Sequence, residues 1–342
     1  DQTVYTLQTA GWDGFKTLLP VYLDHLFEPT ITDAACKTEV YHIDGKGKER
    51  GVVFLEMQGI ESQLWFILWL EMQRCLYRKD GGYSSKTGGV TLELRDITPE
   101  QIRDCHQQMY RSDNCCVVIT GSVDEGELLQ VMDEFDQNLA QMVPRREKRP
   151  FVDSKPEKAP KETIVRYSEF PDRDESFGEI LISWIGPHSS DILENVAADM
   201  VGLYLTDSAI SILNKELVEI EDPLATDIEY LTDDYLKTGL IFEITGVPTE
   251  RLAECDFKIK EIMAALATDV GGFDLEYMKE IINQQKLKFV SDTEKSPRIL
   301  SNFAIVDFLY GDDKTLEKWT KDLREYDILL EWTASEWCSF VG

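Results

Sequence analysis

Apolar residues recur along this chain with two different periods, and the period changes mark its elements. Phe15, Leu18, Leu19, Tyr22, Leu23 and Leu26 fall at helical spacing until Pro29 closes the run, while "TVYTLQT" before them alternates like a strand. Asp33 is placed to cap a short helix through Glu39, and "HIDGKGK" reads as a glycine-rich hairpin or loop. A long helix is then expected from about Glu49 to Tyr77, its second half "LWFILWLEMQRCL" apolar nearly all round and so buried. After the turn "KDGG", "VTLELRD" reads as a strand. In "TPEQIRDCHQQMY" Thr98 stands at the N-cap, Pro99 at the first helical position and Gln101 at the capping-box place. "NCCVVITGSV" reads as a buried strand and residues 124–142 as an amphipathic helix.

The later part repeats the style. "FGEILISWIG" reads as a strand, 190–219 as helical, and "LATDIEYL" with "TGLIFEITGV" as paired strands of alternating faces. Helices are expected over Thr249–Ala267, from Asp274 to about Ser291, over Arg298–Leu309 and in the tail. Between the two parts, residues 144–161 hold four prolines and seven Lys or Arg against three acids, with almost no apolar periodicity. That composition makes a linker, so the chain divides into a first domain at 1–143 and a second at 162–342. The mixed order of elements predicts an α+β fold, mainly antiparallel sheets packed with helices.

At 342 residues and 43% hydrophobic content the chain can bury a core of that size. Its net charge of −29 argues against nucleic acid as a partner, since phosphate binding draws on clustered Lys and Arg. The same field favours basic partners, or simply keeps the surface soluble. No apolar run approaches the length of a membrane span, so no membrane partner is expected. Seven cysteines, an odd count without C-x-x-C spacing, read as reduced thiols of a cytoplasmic protein. Asp1 opens inside a strand-like pattern and the last residues stop on a helix-like one, which suggests a piece of something longer, so that any N-terminal targeting signal would lie outside this chain.

Most candidate motifs reduce to structure. "GGYSSKTGG" has Lys86 and Thr87 ahead of the glycine pair, the wrong order for a phosphate loop, and reads as a turn. His25, His42, His106 and His188 are scattered, with no pair at i, i+4 to share a zinc ion. His25 beside Asp24 and Glu28 fits the polar edge of an amphipathic helix better than an acid–base cluster. Cys105 and His106 diverge by about 100° as helical neighbours and form no dyad. Glu49 and Glu56 are different. Seven residues are close to two helical turns, so a continuous helix sets both carboxylates on one side with Val52, Val53 and Ile60. Carboxylates on an apolar stripe call for a cation, a metal or a raised pKa. Spacing alone leaves an ordinary ion pair with Lys or Arg as the default.

The surroundings of that pair carry more. "ERGVVFLEMQG", followed by "YSSKTGG" and "DITPEQIRDCHQQMYRSDNCCVVITGSVDEGELL", and preceded by "YTLQTAGWDGFKTLLPVYLDHLFEPTITD", resembles the inverted zinc metallopeptidases of the pitrilysin, insulysin and presequence-protease family. The similarity is closest to the presequence-protease-like, cytosolic branch. It runs in order through 1–143 and continues more weakly in "FGEILISWIGP", "AISILNKELVE" and "TGLIFEITGV".

The resemblance implies two consecutive α/β-sandwich domains, both incomplete here, in a zinc endopeptidase that cleaves unfolded or short peptides inside a two-half chamber. It makes Glu56 the third zinc ligand and Glu49 a supporting carboxylate just outside the metal's own ligands. The family's other two ligands and its general base belong to an H-x-x-E-H helix, a motif absent from this chain. The resemblance therefore implies Zn²⁺ in the full-length protein, an inactive and metal-free fragment, and a missing second half of the same chain as partner. The mitochondrial matrix is the alternative location to the cytoplasm. The alternative function, known in the same family, is a non-catalytic peptide-binding or scaffold relative.

Overall fold

The computed structural model describes residues 2–79, 81–142, 158–296, 298–311 and 323–342. Residues up to Leu70 with Lys79 to Met142 make one unit, and Glu71–Arg78 with residues 158–342 make another. The stretch read as a linker lies outside the described residues up to position 157, and 158–161 carry neither helix nor strand.

The first unit holds α1 (Trp12–Phe27), α2 (Asp33–Glu39), a two-residue hairpin of β1 (His42–Ile43) and β2 (Glu49–Arg50), and α3 (Val52–Ile60). It continues through the start of α4 (Leu64–Leu76), α5 (Thr91–Leu94), α6 (Pro99–Met109) and α7 (Glu125–Met142). Its core gathers Phe54, Met57, Phe66, Leu70 and Leu94.

The expected helix from Glu49 to Tyr77 is interrupted twice. Glu49 pairs in β2 with Ile43, because Asp44 accepts the backbone N–H groups of Lys46 and Lys48 and closes the hairpin. Gly51 then turns the chain at φ +130°, a left-handed value that favours glycine, and α3 starts behind it. The second break, at 61–63, turns the Glu61 carboxylate to the hydroxyl of Thr91 at 2.6 Å. Three expected strands are also absent. Residues 2–9 and 115–120 enter no ladder among the described residues, and a strand without a partner backbone gains none of the cross-strand pairing that stabilises it. "VTLELRD" instead forms the single turn α5, which points Thr91 and Leu94 inward at i, i+3 and leaves Leu92 71% exposed.

Helix α6 follows its local signals. Thr98 Oγ1 accepts the Gln101 N–H at 3.2 Å, and Gln101 Oε1 accepts the Thr98 N–H at 2.8 Å. Thr98→Ala should therefore cost about 1 kcal/mol in denaturant unfolding, and a loss below a few tenths would show the cap to be idle.

In the second unit β3 (Phe177–His188) and β4 (Asp227–Asp233) both pair antiparallel with the central β5 (Lys237–Pro248). Ile180 stands opposite Ile244 and Ile182 opposite Phe242 on one side, with Ile228 and Tyr230 on the other. This face is covered by α8 (Ile192–Thr206), α9 (Ile212–Leu217), α10 (Leu252–Thr268) and α11 (Leu275–Lys295). Helices α12 (Arg298–Tyr310), α13 (Arg324–Leu330) and α14 (Ala334–Val341) follow. Trp337 of α14 is fully enclosed and stacks near-parallel to Phe273 at 6.5 Å.

The helix expected over 190–219 is split in two. Asn214 donates to the carbonyls of Thr206 and Ser208 at 2.8 and 3.1 Å, and Ser211 Oγ accepts the Ser208 N–H at 2.8 Å. These side chains satisfy backbone groups in the bend, as Ser and Asn do at helix ends. Glu71–Arg78 groups with this unit, where Tyr77 meets Tyr235 edge-on at 5.5 Å and Gln73 donates to the Tyr235 hydroxyl at 3.4 Å.

Candidate functional site

The two glutamates singled out by spacing occupy different environments in the first unit. Glu49, on β2, is engaged from two sides. The Tyr41 hydroxyl donates to its Oε1 at 3.0 Å, while Arg95 donates from Nε to Oε1 at 2.7 Å and from Nη2 to Oε2 at 3.3 Å. The Arg95 guanidinium lies over the Phe54 ring at 5.1 Å, and Tyr41 packs on the same ring at 5.0 Å. A planar fork on a carboxylate with an aromatic floor is a geometry that Lys does not reproduce. The hydrogen bonds from Arg95, opposed by partial burial and assisted by Tyr41, hold the Glu49 carboxyl below its ordinary range.

A depressed carboxylate stabilises the folded form above its unfolded pKa and loses that contribution as pH falls through the lower folded value. Glu49→Gln should therefore weaken the protein slightly at neutral pH and converge with wild type in acid. Parallel unfolding curves across pH check this, and a constant difference would remove the linkage. The effect is small because the Glu49 and Arg95 side chains keep 35% and 36% of their exposure.

Glu56 lies on α3, exposed. The buried face of this helix is formed by Phe54 and Met57, so the stripe that sequence spacing drew through Glu49, Val52 and Glu56 is not the core-facing one. Val52, Leu55, Glu56 and Gly59 share the opposite side at i, i+3, i+4 and i+7. Val52 is 56% and Leu55 42% exposed, an apolar strip carrying one carboxylate. Glu56 has no hydrogen bond or ion pair among the described residues.

The histidines stay apart. His25 Nδ1 meets the Val21 carbonyl at 2.7 Å, His42 Nδ1 the Lys37 carbonyl at 3.0 Å, and His106 Nε2 the Leu26 carbonyl at 2.8 Å. His188 Nδ1 meets Ser190 Oγ at 2.8 Å. His25 stands 4.0 Å from Asp24, both exposed. "GGYSSKTGG" is a turn, with Gly88 and Gly89 at φ +88° and +78° and Lys86 Nζ 4.9 Å from the centre of the Phe66 ring. Among the described residues no three His, Cys, Asp or Glu side chains converge to hold a metal. Arg95 and Tyr41 escaped the sequence reading, since 46 residues separate Arg95 from Glu49 and no local pattern links them.

Residues 96–285 match the family model described as the Peptidase M16 inactive domain. That match covers more than half of the chain. The chain belongs to the M16 peptidase family. An uncharacterized protein of Saccharomyces cerevisiae is 42% identical over 100% of this chain and 33% of its own length. Presequence protease 1, chloroplastic/mitochondrial, of Arabidopsis thaliana is 24% identical over 96% of this chain and 30% of its own. Among solved structures, the periplasmic protease PqqL from Escherichia coli superposes with a TM-score of 0.64 at 12% identity, over 96% of this chain and 34% of PqqL. The chain thus spans about a third of the length of these relatives, and it shares the M16 α+β fold with its small antiparallel sheets. No described helix is long and apolar enough to cross a membrane.

Proposed function

We propose that the whole protein is a zinc-dependent M16 endopeptidase acting on unfolded peptides, to which this chain contributes Glu56 as one carboxylate ligand. The observation that carries the reading is the exposed strip of α3, where Glu56 shares a side with Val52 and Leu55 and has no ion pair among the described residues. Exposed apolar side chains around a lone carboxylate suit a surface that further chain covers and a cation completes. A carboxylate oxygen is an ordinary zinc donor, while the histidines and the general base would come from outside this chain. Bound zinc supplies Lewis acidity and an activated water. This chain's own share is to present Glu56 on a helix whose start is anchored by β2 and Gly51.

Glu49 is the supporting carboxylate in this reading, and Arg95 with Tyr41 fixes its orientation. The chain alone is proposed to be inactive and zinc-free, its missing second half closing a chamber around the peptide. The cytoplasm is the proposed location, with the mitochondrial matrix as the alternative, and the Arabidopsis relative is named as chloroplastic/mitochondrial.

The test is peptide cleavage by the whole protein with and without a chelator, beside its zinc content. Chelator-sensitive cleavage with bound zinc supports the reading, and chelator-insensitive cleavage removes it. A non-catalytic, peptide-binding relative is the second reading. The match to an inactive-domain model favours it, and it expects peptide binding without turnover or zinc.

A further inference from the structure

Helix α3, which carries Glu56, is held at both ends by one short stretch of chain. Glu61 is its C-terminal capping residue, with its N–H on the Met57 carbonyl. A carboxylate there faces the negative end of the helix dipole, and no described Lys or Arg pairs with it. Both partners of Glu61 come instead from Thr91, whose backbone N–H donates to Oε1 at 2.5 Å and whose hydroxyl donates to Oε2 at 2.6 Å. Thr91 is buried, at 9% exposure, so neither donor has much water to turn to if that carboxylate is lost.

Four residues on, Arg95 grips Glu49 just ahead of α3 and lies over the ring of Phe54 in its first turn. Between the two clamps, Leu94 is buried with Phe54 and Met57. Upstream, Gly88 at φ +88° passes so close to Met57 that a Cβ would stand 2.7 Å from its Sδ. Thr91 to Arg95 thus runs back along α3 from its end to its start. Packing on Phe54 and Met57 sets the rotation of the helix, and the two carboxylate clamps set its place along its own axis. Glu56, on the opposite side, takes its direction from a stretch that makes no described hydrogen bond to it.

We propose that residues 88–95 are a brace for α3 and that Thr91 is a positioning residue, setting where the Glu56 carboxylate stands. The inference rests on the reading of Glu56 as a zinc ligand. A group that supports a metal ligand is worth about 10- to 100-fold in metal affinity, because a ligand held loosely no longer meets the ion at its proper distance. Thr91→Val keeps the shape of the side chain and removes the hydroxyl that meets Oε2. Thr91→Ser keeps that hydroxyl.

The experiment compares these two variants of the whole protein with wild type, by zinc affinity in competition with a chelator and by hydrogen exchange over residues 52–60. Thr91→Val is expected to weaken zinc binding about tenfold and to speed exchange in the last turn of α3, and Thr91→Ser to restore both. A hydroxyl with a merely structural role would lower Tm and leave the zinc affinity of the folded protein unchanged. Wild-type zinc affinity in folded Thr91→Val therefore overturns the positioning role, as does an equal loss in the Ser variant. A wild type that binds no zinc removes the ligand reading and leaves the brace to exchange alone: faster exchange in Thr91→Val upholds the brace, and unchanged exchange overturns it. Should the Val variant fail to fold, Glu61→Gln keeps the size of the side chain and gives up one anionic acceptor. Unmoved zinc affinity and exchange in that variant overturn the proposal equally.

Discussion

Glu56→Gln is expected to strip zinc from the whole protein and abolish most peptide cleavage while leaving its unfolding curve within about 0.5 kcal/mol of wild type. The two halves of that expectation have different causes. Glutamine keeps the shape but loses the charge and the second anionic oxygen that a divalent ion draws on. Activity should therefore fall by more than the roughly 10- to 100-fold typical of a group that only supports a metal ligand. Stability should hold because Glu56 is exposed on α3 and is not engaged by any described side chain. Zinc per chain and cleavage rate, measured on the same preparation, check both halves. Unchanged zinc would end the ligand role whatever happened to activity.

The second large effect concerns Gly51→Ala. Gly51 is buried, holds φ +130°, and has the Val40 carbonyl where a Cβ would stand. An alanine must take up both a backbone conformation that L side chains avoid and an overlap with a carbonyl that already accepts the Phe54 N–H at 3.3 Å. Each costs about 1–3 kcal/mol, so a loss of about 2–5 kcal/mol is expected in urea unfolding. Because Gly51 joins β2 to α3, amides over 52–60 should exchange faster even where the rest of the unit stays folded. A loss below about 1 kcal/mol would mean that the turn relaxes freely and does not anchor α3.

These two glycine and glutamate positions show where the amino-acid pattern is a good guide and where it misleads. The capping box at Thr98 and Gln101 was readable because both partners lie within one turn. The hairpin of β4 and β5 was readable for a similar reason, since its strands are neighbours in the chain and alternate against one core. The seven-residue spacing of Glu49 and Glu56 misled, because periodicity assumes an unbroken helix. Whether a glycine continues a helix or ends it depended here on a carbonyl at Val40, contributed by a different element. Similarly, "NCCVVITGSV" has every local mark of a strand and enters no ladder among the described residues, since pairing needs a second backbone.

Residue order alone thus settled the α+β class, the family resemblance and the start of α6 at its capping box, all of which rest on interactions spanning a few residues or on a shared pattern. Three-dimensional packing decided the rest. It gave Glu49 to Arg95 and Tyr41 and turned Glu56 outward with Val52 and Leu55. A carboxylate's charge state and partner follow from the groups that folding brings within a few ångströms, and those come from positions far apart along the chain.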